Sequence, residues 1–360
     1  MIDVLLRVGG TLVGLAMVFA FLRSALQVAV VNRRRGDWLA RRVGWIAHTT
    51  LARPSLKERT FDRVQDVLAW VMPLYIVLLI VVWFVLAQLG FSLLIWSLQA
   101  EHNLLQAVIA SGSALSTLGF LTPSDMAGQL LAIPEGAMGL GIVVFFFTFI
   151  PGYQSAIQLR EVRVAWLYAR VRLYTGKFGP IEWLLRVDST AHTRGFWEDW
   201  EGWFRNLFET HSVAPILSFV PSVHRGQSWL AVAAAILDGS SLCLAILDTE
   251  ELPSAEICHI TGVTTLRLLA AELAGNLAND ASSSRIVSIH RADFDMIYQR
   301  MVALGARVKK DREDCWLKFN ELRSEYERFV SILADSLFVP SSLLMGPLNS
   351  SRRHEGAESQ

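Results

Sequence analysis

The chain has 360 residues, 52% hydrophobic and 18% charged, with a mean hydropathy of +0.38. That is too apolar for a chain made only of soluble domains. Formal net charge is zero, with 33 cationic and 33 acidic side chains, so no overall field recruits nucleic acid.

The distribution of charge is more informative than its sum. From Val64 to Leu159 there is no Lys or Arg. Arg33, Arg34, Arg35, Arg41, Arg42, Arg53, Lys57, Arg59 and Arg63 precede the gap, and Arg160, Arg163, Arg170, Arg172 and Lys177 follow it. The positive-inside rule puts both flanks in the cytoplasm and turns the intervening loop outward. The three cysteines, Cys243, Cys258 and Cys315, are odd in number, fit no metal spacing and read as buried, reduced thiols.

In chain order, residues 1–31 are apolar apart from Asp3, Arg7 and Arg23, and form a membrane helix if Arg23 snorkels to the inner face. Arg33 to Arg35 then stop transfer, which leaves the N-terminus outside. A cleaved signal peptide is the rival reading, weakened by the poorly charged start. Residues 32–66 are basic and carry Trp38, Trp45 and Ile46, which suits an amphipathic segment on the inner membrane surface or a solvated linker.

A two-helix module is expected at 67–159. Its first helix runs from Val67 to Trp96, with Pro73 as a possible kink. Its second runs from Gly136 to Ile157, where Gly139 and Gly141 allow close helix approach. Pro151-Gly152 breaks the inner third of that helix, as a gate hinge or as a packing kink.

Between them lies the stretch from Asn103 to Asp125. Asn103, three residues before Gln106, forms a capping-box pattern, and about ten small and apolar residues follow. A helix of that length spans about 15 Å, half the hydrocarbon core, so it enters a membrane without crossing it. It runs into Thr117-Leu118-Gly119-Phe120 and is closed by Pro123.

Residues 160–345 are polar enough for an all-helical cytoplasmic domain. Helical patterns cover 161–174, 180–186, 197–209, 227–246, 263–277, 293–304 and 309–337, with loops at 249–256 and 279–284. Trp229 to Ile246 has nearly the length of a membrane span. Asp238, Ser240 and Ser241 in its middle favour a buried core helix instead. Residues 346–360 suit a disordered tail.

Membrane helix, half-helix, Thr-x-Gly-aromatic strand, membrane helix: this resembles the pore module of potassium channels. The closer likeness is to bacterial two-transmembrane (two pore domain-type) potassium channel family proteins. It extends to the leading membrane helix, to Leu130–Glu135, and to the runs Glu209–Leu217 and His224–Leu230. The resemblance implies an all-α membrane protein of the bacterial inner (plasma) membrane, assembled as a homotetramer. It also implies a selectivity filter built from the carbonyls of Thr117, Leu118, Gly119 and Phe120, passing K+ or another monovalent cation by passive conduction. Its partners are then its own copies and membrane lipids, with no nucleic acid, no resident cofactor or metal and no enzymatic activity.

The sequence departs from Thr-x-Gly-Tyr-Gly-Asp where it reads Thr117-Leu118-Gly119-Phe120-Leu121-Thr122-Pro123. Leu121 replaces the second glycine, and Asp125 is a shifted stand-in for the missing aspartate. A non-glycine residue in that left-handed position costs about 1–2 kcal/mol, repeated in each of four copies. Trk-type potassium transporters resemble the same module with one glycine per filter strand, so conduction stays open. Glu135 reads more simply as an outward-facing carboxylate near the membrane surface than as a structural carboxylate behind the filter. The alternative function is a non-conducting membrane scaffold or sensor with a vestigial loop and a partner-binding helical domain.

No phosphate-binding glycine loop or nucleophile elbow occurs. His211 and His224 read as packing residues, and His259 and His290 as isolated from other ligands.

Overall fold

The computed structural model describes residues 2–29, 37–52, 59–171, 190–248, 253–274 and 289–345. Its helices are α1 (Ile2–Ala29), α2 (Trp38–Leu51), α3 (Phe61–Leu68), α4 (Val71–Ser97), α5 (Leu104–Leu115), α6 (Met126–Val171), α7 (Thr190–Val213), α8 (Trp229–Ile246), α9 (Pro253–Ala274), α10 (Arg291–Ala303), α11 (Arg312–Ser324), α12 (Glu327–Leu337) and α13 (Ser341–Met345), with a 3-10 turn at Pro215–Phe219. The extended structure among these residues is one isolated antiparallel bridge, Leu247 to Val308. The all-helical expectation therefore holds for what is described. Among the described residues four helices are long and apolar enough to cross a membrane: Ile2–Val28, Phe61–Ser97, Met126–Arg170 and Trp229–Ile246. The chain divides into two compact units, Met1–Thr50 with Val71–Ser155, and Leu51–Trp70 with Ala156–Gln360.

In the first unit α1 packs antiparallel along α4. A Cβ on Gly14 would lie 2.8 Å from Gly90 O, and one on Gly90 would lie 3.1 Å from Gly14 O. Small residues at a crossing let two backbones touch, which is how helices gain contact energy where lipid supplies no hydrophobic drive. Polar side chains along the seam pair within it. Arg7 donates to Trp96 O at 3.2 Å, Thr11 Oγ1 to Ser97 Oγ at 2.9 Å, and Trp83 Nε1 to Ser24 Oγ at 2.9 Å. Ser24 in turn donates to the buried Asp37 carboxylate, which also accepts from Ala40 N at 3.0 Å and so starts α2. A file of rings joins α1, α4 and α6: Phe21, Trp83, Phe145, Phe149, Tyr153 and Tyr75, with successive centroids 4.1–6.5 Å apart.

Several boundaries differ from the sequence expectation. The helix expected at Val67 starts at Val71, after α3 and a turn at 69–70, so Pro73 sits in its first turn. Proline costs nothing there, because that N–H has no helical acceptor. The helix expected at Gly136 begins at Met126 and runs 46 residues without interruption, about 69 Å, through Pro134 and Pro151. Pro151-Gly152 therefore does not break it, and the helix expected to open at Glu161 is its continuation. Phe145, Phe149 and Tyr153 stack along one face of the helix, and Pro151 lies exposed on the opposite face, where its missing N–H removes one hydrogen bond.

The second unit is built around α8, whose side chains are almost all buried. Ser228 caps it by accepting from Ala231 N at 3.3 Å. Midway, Asp238 accepts from Tyr326 Oη at 2.5 Å and lies 3.3 Å from Arg323, so the carboxylate is paired inside protein. Trp197, Trp200, Trp203 and Phe204 of α7 pack into the same core. The helix expected over 309–337 is two helices, because the chain leaves helical geometry at Tyr326 (φ −123°), whose hydroxyl reaches in to Asp238. The expected loop at 249–256 is shorter, with α9 starting at Pro253. The expected helix at 180–186, the loop at 279–284 and the tail at 346–360 lie outside the described residues.

Candidate pore loop

Asn103 begins α5 as its sequence position predicts, its side chain accepting from Leu105 N at 2.9 Å. The helix has 12 residues, about 18 Å, and one small-residue side, Ala107, Ala110, Ser111 and Ser113, is buried. From α4, Gln88 donates to Val108 O at 3.2 Å, and its carbonyl accepts from Ser111 Oγ at 3.0 Å. A side chain on Gly112 would strike Gln88 Nε2 at 2.8 Å.

From α6, two residues fix the other side. Gly139 meets the last carbonyl of α5 so closely that a Cβ would fall 1.8 Å from Leu115 O. Glu135 is fully buried and pairs with Ser111, so it is a structural carboxylate against α5 and not the outward-facing residue favoured from sequence. Its Oε2 has no partner among the described residues. Ser111 has one proton and two neighbouring acceptors. If Gln88 O takes that proton, the contact with Glu135 is made by a proton on the carboxyl group.

Beyond α5 the backbone takes an uncommon form. Thr117 has φ +59° and Gly119 φ +64°, and Leu118 between them is not at positive φ. Three N–H groups turn onto the last turn of α5: Thr117 N to Ala114 O at 2.9 Å, Gly119 N to Ser113 O at 3.1 Å, and Leu121 N to Ser113 Oγ at 2.9 Å. The side chains of Thr117, Leu118 and Phe120 are exposed, Leu118 by 72% and Phe120 by 67%. The left-handed cost expected at Leu121 is absent there and falls on Thr117, a β-branched residue for which such a conformation is an outlier.

Asp125, expected as a shifted filter aspartate, instead caps α6. Its side chain accepts from Ala127 N at 3.1 Å and its carbonyl from Gln129 N at 3.0 Å. The loop is closed by Pro123, against which Gly128 packs so tightly that a Cβ would sit 2.5 Å from the ring. Pro151 and Gly152, the candidate hinge, are exposed on α6, and a Cβ on Gly152 would meet open space.

Elsewhere the structure assembles groups that the sequence left separate. Arg160 is buried and donates to Glu161 (2.7 Å) and to the carbonyls of Leu217, Val220 and Pro221 (3.0–3.2 Å). Its Nη1 lies 3.3 Å from His211 Nε2. Burial and this guanidinium hold His211 well below the ordinary imidazole range, as the neutral form that accepts from Arg160. His259 is not isolated: Nδ1 lies 3.2 Å from Ser240 Oγ and Nε2 3.4 Å from Glu325. Ser240 and Ser241 beside it are fully buried, while Glu325 reaches the surface with 47% of its side chain exposed. Among the described residues no group of His, Cys, Asp and Glu could hold a metal. Cys243, Cys258 and Cys315 are free and buried.

No protein-family model, curated protein or solved structure matches the chain.

Proposed function

We propose that the chain is one subunit of a potassium-channel-like pore that passes monovalent cations passively. Four copies each contribute Thr117 to Phe120 to a filter on the symmetry axis. The observation that carries this reading is the end of α5. A helix of half-membrane length delivers the negative end of its dipole to a loop whose left-handed residues alternate. Alternating handedness turns successive carbonyls toward one side, which a regular strand cannot do, and such a row can replace an ion's hydration shell. The tethering of the N–H groups at 117, 119 and 121 to α5 supports the same arrangement.

Below the filter, Ala137, Gly141, Thr148, Gly152 and Ser155 form an exposed stripe of small and hydroxyl residues on α6 that suits the inner passage. Bulkier Ile133, Leu140, Val143 and Phe147 lie exposed beside it, suited to lipid. In this reading the N-terminus lies outside and residues 160–345 in the cytoplasm, which the charge pattern supports, and the membrane is the bacterial inner membrane that the resemblance implies.

The test is K+ flux into proteoliposomes, with copy number in detergent measured in parallel. Flux above empty vesicles that Gly119→Ala lowers at least tenfold supports the channel. A monomer, or flux equal to empty vesicles, favours the non-conducting scaffold, to which Leu121 in place of a second glycine already points.

A further inference from the structure

α2 carries one face that its own unit leaves open. Val43, Gly44, Ala47 and His48 are buried on the inner side. Trp38, Arg41, Arg42, Trp45, Ile46 and Thr49 recur at three- and four-residue spacing on the outer side, all exposed. Trp38 and Trp45 are two turns apart, about 10 Å along the axis, with both arginines between them. No carboxylate occurs from Trp38 to Ala52, and the one just before, Asp37, is 3% exposed and faces Ser24.

The position of this face follows from its anchorage. α2 starts nine residues after α1 ends, and the Asp37–Ser24–Trp83 chain ties its first turn to both α1 and α4. Those two helices are candidate membrane spans, so α2 is held at a bilayer surface. Indole rings and guanidinium groups side by side match the layer where acyl chains meet phosphates. A soluble partner would leave unexplained why two tryptophans stand half-exposed on a helix fixed at that depth.

We infer that this face of α2 binds the acidic headgroups of the adjoining leaflet, with Arg41 and Arg42 on lipid phosphates and Trp38 and Trp45 seated at the acyl boundary. The assignment needs only that α1 and α4 span the bilayer, and it stands whether or not the loop conducts.

Hydrogen exchange of the α2 amides tests it on the full chain in nanodiscs, either of phosphatidylcholine alone or with about one-third phosphatidylglycerol. One arginine near an anionic surface is worth a factor of about five, so the pair should slow exchange roughly 25-fold in the acidic discs. Salt at about 0.5 M should remove most of that gain. The variant R41Q/R42Q should lose it while α8, the internal fold control, exchanges as before. W38A/W45A should exchange faster in both lipids. Equal exchange in the two lipids, or a gain that survives R41Q/R42Q, overturns the proposal. So does protection conferred on phosphatidylcholine discs by free glycerol phosphate, which would make α2 a soluble-anion site.

Discussion

The α4 segment and α8 have hydropathies of 2.6 and 1.9 over their most apolar windows, yet 33% of the first window and 89% of the second is buried within the protein. The difference lies in what surrounds each polar group. α4 has no charged residue, and Gln88 and Ser92 serve backbone groups beside them. α8 carries Asp238 at its centre, and Tyr326 and Arg323 meet it. A carboxylate in lipid has no such shell, so it marks the helix that must be wrapped in protein. Hydropathy alone separates neither case.

Breaking the wrapped helix should have the largest effect. Asp238→Ala leaves Arg323 buried without its main counter-charge and should destabilise the second unit by about 3–5 kcal/mol, seen as a lowered denaturant midpoint. In the first unit, Gly139→Ala drives a methyl group into Leu115 O and should cost about 1–3 kcal/mol or force α5 to shift. Flux and melting measured together would register it.

Acid offers a probe confined to the second unit. The folded state holds His211 neutral with its affinity for protons depressed, while the unfolded chain protonates near pH 6.5. The unfolded state therefore binds more protons below that pH, and stability falls as pH drops. The loss approaches about 1.4 kcal/mol per unit, or roughly 2 kcal/mol by pH 5. His259, also lowered by burial, adds the same sign. Urea melts at a series of pH values should show this slope, and His211→Asn should flatten it.

The smallest expected change concerns the loop itself. Thr117→Gly relieves about 1–2 kcal/mol of left-handed strain and gives back about 0.5–1 kcal/mol in chain entropy. A net gain of about 0.5–1 kcal/mol in thermal stability should appear. A loss would show that the Thr117 side chain contributes more than its strained backbone costs.

What the sequence could disclose depended on how local the cause was. Asn103 capping α5, the polar residues that hold α8 inside protein, and the small-residue approach at Gly139 were all legible, because each rests on neighbouring residues or residue type. The strained position was not. Leu121 was singled out by comparing tetrapeptides, whereas the non-glycine residue that turns left-handed is Thr117, where the chain folds back so that Gly119 N and Leu121 N reach Ser113, outside any tetrapeptide. Glu135 was misplaced for a similar reason: helix periodicity cannot show that Ser111, 24 residues away, waits opposite. Asp125 looked like a filter group until the start of α6 at Met126 made it a cap. The uninterrupted α6 was hidden because Pro151-Gly152 reads as a break, whereas a proline on an exposed helix face can remove one hydrogen bond without ending the helix.

The α1–α4 seam also sets a timetable for biogenesis. Arg7, Thr11 and Ser24 leave the ribosome 59 to 89 residues before their partners on α4, having until then only nearer ones: Asp3 for Arg7, Arg7 O for Thr11 and Asp37 for Ser24. At about 5–20 residues per second, that is a wait of roughly 3–18 s. During this interval the first helix has only those shorter-range pairs and lacks every hydrogen bond to α4. Slowing translation between codons 30 and 97 should therefore raise quality-control turnover of this protein more than slowing it later.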